Sequence, residues 1–159
     1  MLTVRVITVG TLKEAYWREA AEEYRKRLSA FCRLEEVQLR EARLPDRPSE
    51  AQIRAALASE GEEMKPYLSP RAYKIALCVE GQAFSSPGLA ERISSVMGQT
   101  SEIVLVIGSS FGIAPEIKKL CDLRLSVSEL TFPHQMVRVM LYEVLYRSMN
   151  ILKGTPYHK

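Results

Sequence analysis

The sequence is poor in the residue types that most often carry chemistry: three cysteines, two histidines and one tryptophan among 159 residues. Cys32, Cys78 and Cys121 are odd in number, widely spaced and set among apolar residues, with no signal peptide ahead of them. They read as buried thiols of a reducing, cytoplasmic compartment and not as a disulfide framework. His134 and His158 lie far apart with no third ligand suggested, so no metal site is expected. No apolar run approaches the roughly 20 residues that span a bilayer, which argues against a membrane protein. G-x-G-x-x-G and the Walker Gly-Lys-Ser/Thr are both missing, and with them the usual glycine-rich nucleotide loops. Charge of one sign is also scarce. The 22 basic and 19 acidic residues leave a net +3, which permits nucleic-acid contact but does not argue for it.

What is present is an alternation of strand and helix. At 47% apolar and 26% charged, the chain suits one domain over residues 1–159 with a sizeable core. Leu2 to Val9 is β-branched and stops at Gly10, a strand running into a turn. Leu12 to Leu28 carries Tyr16, Ala20, Tyr24 and Leu28 at four-residue spacing, as an amphipathic helix does; its Lys13, Arg18, Arg25, Lys26 and Arg27 read as a solvated face, with a nucleic-acid footprint as the alternative. Phe31 to Leu39 is a second strand. Ser49-Glu-Ala-Gln52 has the form of a capping box opening a helix to about Lys65. Tyr73 to Val79 is a strand ending at Glu80-Gly81, and Ser86-Pro87 caps the next helix. Ile103 to Ile107, five apolar residues in succession, predicts a strand buried on both faces in the middle of a parallel sheet. Pro115 starts a short helix, Leu123 to Val127 is the last strand, and a long helix follows Pro133. Five strands alternating with five helices predict an α/β fold with a mainly parallel sheet and helices on both faces.

In such a sheet, ligands bind beyond the carboxyl ends of the strands. Three loops fall there: Val79 to Gln82, Gly108 to Gly112, and Ser126 to Pro133. Their glycines serve equally as simple tight turns, but three such loops together point to a pocket. Gly108-Ser-Ser110-Phe-Gly112 also fits G-x-S-x-G, with Glu129 and His134 following in the order of α/β-hydrolases. Against a serine hydrolase stand the short chain, an acid and a histidine only five residues apart, and no upstream oxyanion segment.

Val106-Ile-Gly-Ser-Ser-Phe-Gly-Ile113, Leu125-Ser-Val-Ser-Glu-Leu-Thr-Phe-Pro-His-Gln-Met-Val-Arg-Val139, Glu143 with Tyr146-Arg147, and the ending Pro156-Tyr-His-Lys159 resemble the RlmH (YbeA) family. These are SPOUT-class methyltransferases that methylate N3 of a pseudouridine in large-subunit ribosomal RNA. The resemblance extends over the whole chain, including Val9-Gly-Thr-Leu-Lys13 and the pair Tyr16-Trp17. One departure is visible: Ser109 stands where the family usually has a second glycine. The resemblance implies a C-terminal trefoil knot, a homodimer built on it, and S-adenosylmethionine held in a bent shape by the knot loops. Carried across, the cofactor contacts fall on Leu77, Gly108, Val127, Ser128, Glu129, Leu130, Thr131 and Phe132. The substrate partner is the large-subunit ribosomal RNA within the ribosome.

Methyl transfer from a sulfonium demands alignment of nucleophile, methyl and sulfur, and the uracil-ring N3-H must lose its proton. A base near neutral pKa, or a cation beside the developing anion, promotes this. His158 suits the first role and Arg138 or Lys159 the second, with Tyr157 available to stack on a base and His134 to orient the cofactor loop. Glu143 and Arg147 have the spacing of an i, i+4 surface pair, with a dimer contact as open as an RNA contact. The competing class is a non-catalytic RNA-binding or ribosome-assembly factor on the same fold.

Overall fold

A computed structural model describes residues Met1–Lys159. Five strands, β1 (Leu2–Val9), β2 (Cys32–Leu39), β3 (Tyr73–Ala83), β4 (Glu102–Ile107) and β5 (Leu123–Ser126), alternate with five helices, α1 (Ala15–Leu28), α2 (Glu50–Met64), α3 (Ser86–Met97), α4 (Pro115–Leu120) and α5 (His134–Lys153). A short 3-10 turn, Lys65–Tyr67, follows α2. The strands form one sheet in the order β2-β1-β4-β3-β5, and every pairing is parallel. The uninterrupted apolar run lies in β4, between β1 and β3, where both of its faces are covered, as expected.

The side-chain alternation of the strands divides the core between two layers of helices. Val4, Val6 and Leu105 pack with Leu28 of α1, Ile93 of α3, and Leu141, Tyr142 and Leu145 of α5. Ile7, Val104 and Val106 face the other way, against Met64 of α2 and Ile117 of α4. Ile7 and Ile117 are completely enclosed, and such burial contributes about 1.5–3 kcal/mol per side chain. The two connections through α1 and α3 step toward the β2 edge, and the two through α2 and α4 step toward the β5 edge. Opposite directions on opposite faces give all four crossovers the same hand, the regularity that strand twist imposes on parallel sheets.

Several boundaries differ from the pattern-based expectation, each for a local reason. Helix α1 begins at Ala15, not Leu12, because Gly10 turns with φ +84 and the carbonyls of Leu12 and Lys13 are taken by the Arg18 guanidinium. Strand β3 does not stop at Glu80-Gly81 but runs to Ala83, with a register shift against β5 between Leu77 and Gln82. Glycine makes this possible: a Cβ at Gly81 would lie 2.7 Å from the Arg124 carbonyl oxygen. Ser85, not Ser86, caps α3, its hydroxyl accepting from the Gly88 N–H at 3.1 Å. Pro133 is itself the N-cap of α5, and β5 closes at Ser126. The capping box of Ser49 and Gln52 forms as expected. Of the three thiols only Cys32 is fully buried, Cys78 and Cys121 being half-buried.

Candidate cofactor and catalytic site

Neighbouring strands β4 and β3 send the chain to opposite faces, β3 into α3 and β4 into α4. A cleft therefore opens above their carboxyl ends. It holds a cavity of about 640 Å³ walled by Leu77 to Glu80, by Ile107 to Ile113 and by the loop between β5 and α5, within the size range of small-molecule sites. Val79, Phe111 and Leu130 are large apolar side chains left exposed at its walls, Leu130 to 70%. Such residues suit an apolar, flat ligand better than they suit water.

Each wall is shaped by local bonding. After β4 the chain folds back so closely that a Cβ on Gly108 would stand 2.1 Å from the Gly112 carbonyl oxygen. Gly112 takes φ +97 and donates its N–H to Ser109 O at 2.9 Å. After β5, the Ser126 hydroxyl donates to Ser128 O at 2.9 Å, and Leu130 N–H donates to Ser128 Oγ at 3.0 Å. These turns leave other main-chain groups of 127–132 free to meet a ligand. Leu77, Gly108, Val127, Ser128, Leu130, Thr131 and Phe132 all line the cavity; Glu129 lies in the same loop and does not. His134 and Ser110 line it too, but no hydrogen bond joins Ser110, Glu129 and His134, so the serine-hydrolase relay is not assembled.

Arg138, one turn beyond His134, points elsewhere. It is only 3% exposed, donates through Nη2 to Gly10 O at 2.9 Å, and leaves Nε without a partner. Burial lowers its pKa, with Tyr142 and Glu36 acting against that. Its role here is to bind the start of α5 to the end of β1. The sequence marked Arg138 by its motif, and its burial depends on α1 and β2 in a way the motif does not record.

The remaining candidates gather at the far end of α5. Gly154, at φ +73, ends the helix, and Thr155 bonds back to Asn150 through its N–H at 3.1 Å and its hydroxyl at 2.6 Å. The tail thus folds along the helix. The Tyr157 ring meets Tyr146 edge-on at 4.8 Å, its hydroxyl donates to Glu143 Oε1 at 3.2 Å, and the Arg147 guanidinium lies over it at 4.8 Å. Burial first, then the Glu143 charge, pushes the Tyr157 phenol up. Arg147 pairs with Glu143 at 2.5 Å, the i, i+4 contact expected, and reaches His158 Nδ1 at 3.2 Å. Arginine only donates, so Nδ1 accepts and a neutral His158 carries its proton on Nε2. Lys159 is exposed and makes no ion pair. Glu143 and Arg147 thus organise the tail, a role their spacing suggested only as surface pairing. Glu143 and Arg147, which hold the tail, lie 9 and 13 residues beyond His134 of the cavity wall, which sets this cluster roughly 14–20 Å along α5 from the cavity of the same chain, at about 1.5 Å per residue.

The family model described as "Predicted SPOUT methyltransferase" matches residues 2–158. The chain belongs to the SPOUT methyltransferase family. Similar SPOUT proteins named "Ribosomal RNA large subunit methyltransferase H" occur in Leuconostoc mesenteroides, 39% identical over 99% of this chain and 100% of that one, and in Caldicellulosiruptor saccharolyticus, 40% identical over 98% and 99%. A third, from Bifidobacterium adolescentis, is 42% identical over 99% and 100%. A solved methyltransferase from Legionella pneumophila in complex with bound SAM shares the fold, with a TM-score of 0.52 at 11% identity over 95% of this chain and 66% of that one. The SPOUT assignment agrees with the resemblance read from the two strand-end loops and the tail.

Proposed function

We propose that the whole chain, 1–159, acts as one S-adenosylmethionine-dependent methyltransferase domain, cytoplasmic and homodimeric, that methylates N3 of a pseudouridine in large-subunit ribosomal RNA, on the assembled ribosome. The observation that carries the reading is the cavity over β3, β4 and β5, lined by seven of the eight residues expected to hold the cofactor. The donor set fits that group: Leu77, Leu125 and Leu130 offer apolar contact for adenine, and the 127–132 main chain offers N–H and C=O groups for its edge. Bound there, the cofactor supplies an electrophilic methyl group. A trefoil knot in the C-terminal half is part of the proposal. It is supported by the close meeting of the loops after β3, β4 and β5 and by the return of α5 to the layer of α1 and α3.

The protein's own groups then have two tasks. Tyr157 would stack on or hydrogen-bond the target base, and His158 would take the N3 proton, freeing the nitrogen lone pair for the methyl group that a bound cofactor would supply. For this the imidazole must leave Arg147, because the ring nitrogen now facing the guanidinium is the one with a free lone pair. Lys159 and Arg147 are placed to offset negative charge developing on the uracil ring. Arg138 serves the fold, and His134 orients the cofactor loop. Because the tail is held on Glu143 and Arg147, roughly 14–20 Å along α5 from His134 at the cavity wall, it does not reach its own cavity, and the tail of one protomer works at the cavity of its partner.

Calorimetric titration with S-adenosylmethionine separates an enzyme from a bare RNA-binding module, which has no reason to bind it. Incubating ribosomes with methyl-labelled cofactor and mapping the modified nucleotide then tests the substrate. His158→Ala is expected to bind cofactor normally and to lose at least about tenfold in single-turnover methylation; full activity would remove the base assignment. Mixed dimers joining a tail deletion to a cofactor-loop mutant should retain one working site, and wholly inactive hybrids would refute the shared arrangement.

A further inference from the structure

Charge enters the wall of the cavity at one place. Among the lining residues Glu80 is the only carboxylate and Lys118 the only ammonium or guanidinium, and the two meet, Lys118 Nζ donating to Glu80 Oε1 at 2.5 Å. They come from different elements. Leu125 of β5 pairs with both Leu77 and Gln82 of β3, so residues 78–81 bulge out of the ladder between them, and a bulge beside a site re-aims the side chains it carries. Lys118 comes from α4, where the completely enclosed Ile117 seats the helix on the sheet.

The pair has bonding capacity to spare. Lys118 Nζ has three N–H donors and spends one on Glu80. The Glu80 side chain is 58% exposed against 20% for Lys118, so its second oxygen stays within reach of a ligand. The bond from Lys118 holds the Glu80 carboxyl below the usual carboxylate range, and the group is ionised at neutral pH. Exposed ion pairs add little to stability, so the place of this one in the wall bears on what the cavity holds. A ligand carrying one carboxylate and one ammonium close together matches it: the carboxylate accepts from Lys118 and the ammonium donates to Glu80, four charges alternating in sign with the existing bond kept. The α-amino acid end of S-adenosylmethionine is such a group, and the apolar wall of Leu77, Leu125 and Leu130 suits its other end.

We propose that Lys118 and Glu80 are specificity-determining residues for the amino-acid end of the cofactor, Lys118 binding its α-carboxylate and Glu80 its α-ammonium. The inference rests on S-adenosylmethionine occupying this cavity. Neither residue has a task at the methyl group or at the N3 proton, so both act on the choice and the affinity of the ligand.

Calorimetry with S-adenosylmethionine on the full-length wild type comes first: failure of the wild type to bind would defeat the functional reading itself, separately from this inference. Given binding, the wild type should hold S-adenosylmethionine at least about tenfold more tightly than decarboxylated S-adenosylmethionine, which lacks the carboxylate. Equal affinities would overturn the proposal before any substitution is made. Lys118→Met is expected to weaken S-adenosylmethionine about tenfold and to bind the decarboxylated compound no more weakly than wild type does, so that the discrimination disappears. Lys118→Arg keeps the charge and should restore affinity to within about threefold of wild type. Glu80→Gln should weaken S-adenosylmethionine about fivefold. Methylthioadenosine has no amino-acid end, and both Lys118→Met and Glu80→Gln should bind it within about twofold of wild type. Wild-type affinity for S-adenosylmethionine in Lys118→Met would overturn the proposal. So would an equal loss for every one of these ligands in either variant, which is the signature of a displaced cavity wall.

Discussion

Replacing Gly108 by alanine places a methyl group where the Gly112 carbonyl oxygen is 2.1 Å away, the Gly112 carbonyl carbon 2.5 Å and Ile113 Cγ1 2.8 Å. Two of the three obstacles are backbone, which cannot swing aside as a long side chain would. Returning to a tolerable contact of about 3 Å requires a loop displacement of about 1 Å. That movement gives up the Gly112 N–H bond to Ser109 O, worth about 1 kcal/mol net, and adds about 1–3 kcal/mol of overpacking. A loss of about 3 kcal/mol lowers the melting temperature of a chain this size by about 6–12 °C. The rest of both cores is untouched, so the variant should fold. Its cavity wall, however, is misplaced by about 1 Å, and cofactor affinity should fall between about tenfold and a hundredfold. Scanning calorimetry and titration with S-adenosylmethionine, the latter well below the melting temperature, read the two effects separately. An alanine variant that melts and binds as wild type does would refute the claim that Gly108 is required by close backbone approach.

Two further predictions concern the core and its thiols. Tyr142 is completely buried and its hydroxyl donates to Glu36, so Tyr142→Phe should cost about 1–3 kcal/mol in urea unfolding; an unchanged midpoint would show that this bond contributes nothing. Burial holds the Cys32 and Cys121 thiols up at about 11 against an ordinary 9.0. The unfolded chain releases these protons first, so the associated stability is intact below about pH 9 and declines as pH rises toward 11. Urea midpoints should fall across that window, and Cys32→Ala with Cys121→Ala should flatten the fall; an identical slope in the double variant would refute it.

Local pattern carried much of this fold. The apolar run of β4, the capping box at Ser49 and the strand-end loops are encoded in short stretches, because periodicity and turn chemistry report which face of an element is covered. Lateral order is not local. Nothing between Tyr73 and Ser126 states that β5 docks on β3, a choice made by crossover direction and by the close approach that Gly81 allows. The proposed knot entered only with the family resemblance, since pattern alone does not encode threading. In the site, the cavity-lining loop proposed to hold the cofactor was legible because motif and loop coincide. Arg138 was visible as a motif residue but not as a buried strut.

The bonds that fasten α5 to the start of the chain are extreme in their sequence separation. Arg138 reaches back 128 residues to Gly10, Gln135 122 residues to Lys13, and Tyr142 106 residues to Glu36. During synthesis β1, α1 and β2 therefore emerge with the apolar stripe of α1 uncovered, and the helix that covers it leaves the ribosome only after the other four helices and all five strands. Closure on this scale is paid in loop entropy before any contact rewards it, which makes the final step slow. The same late closure raises the barrier to opening, because contacts formed after the transition state must be lost before the chain can come apart. A protein assembled in this way is slow to mature and, once mature, slow to unfold.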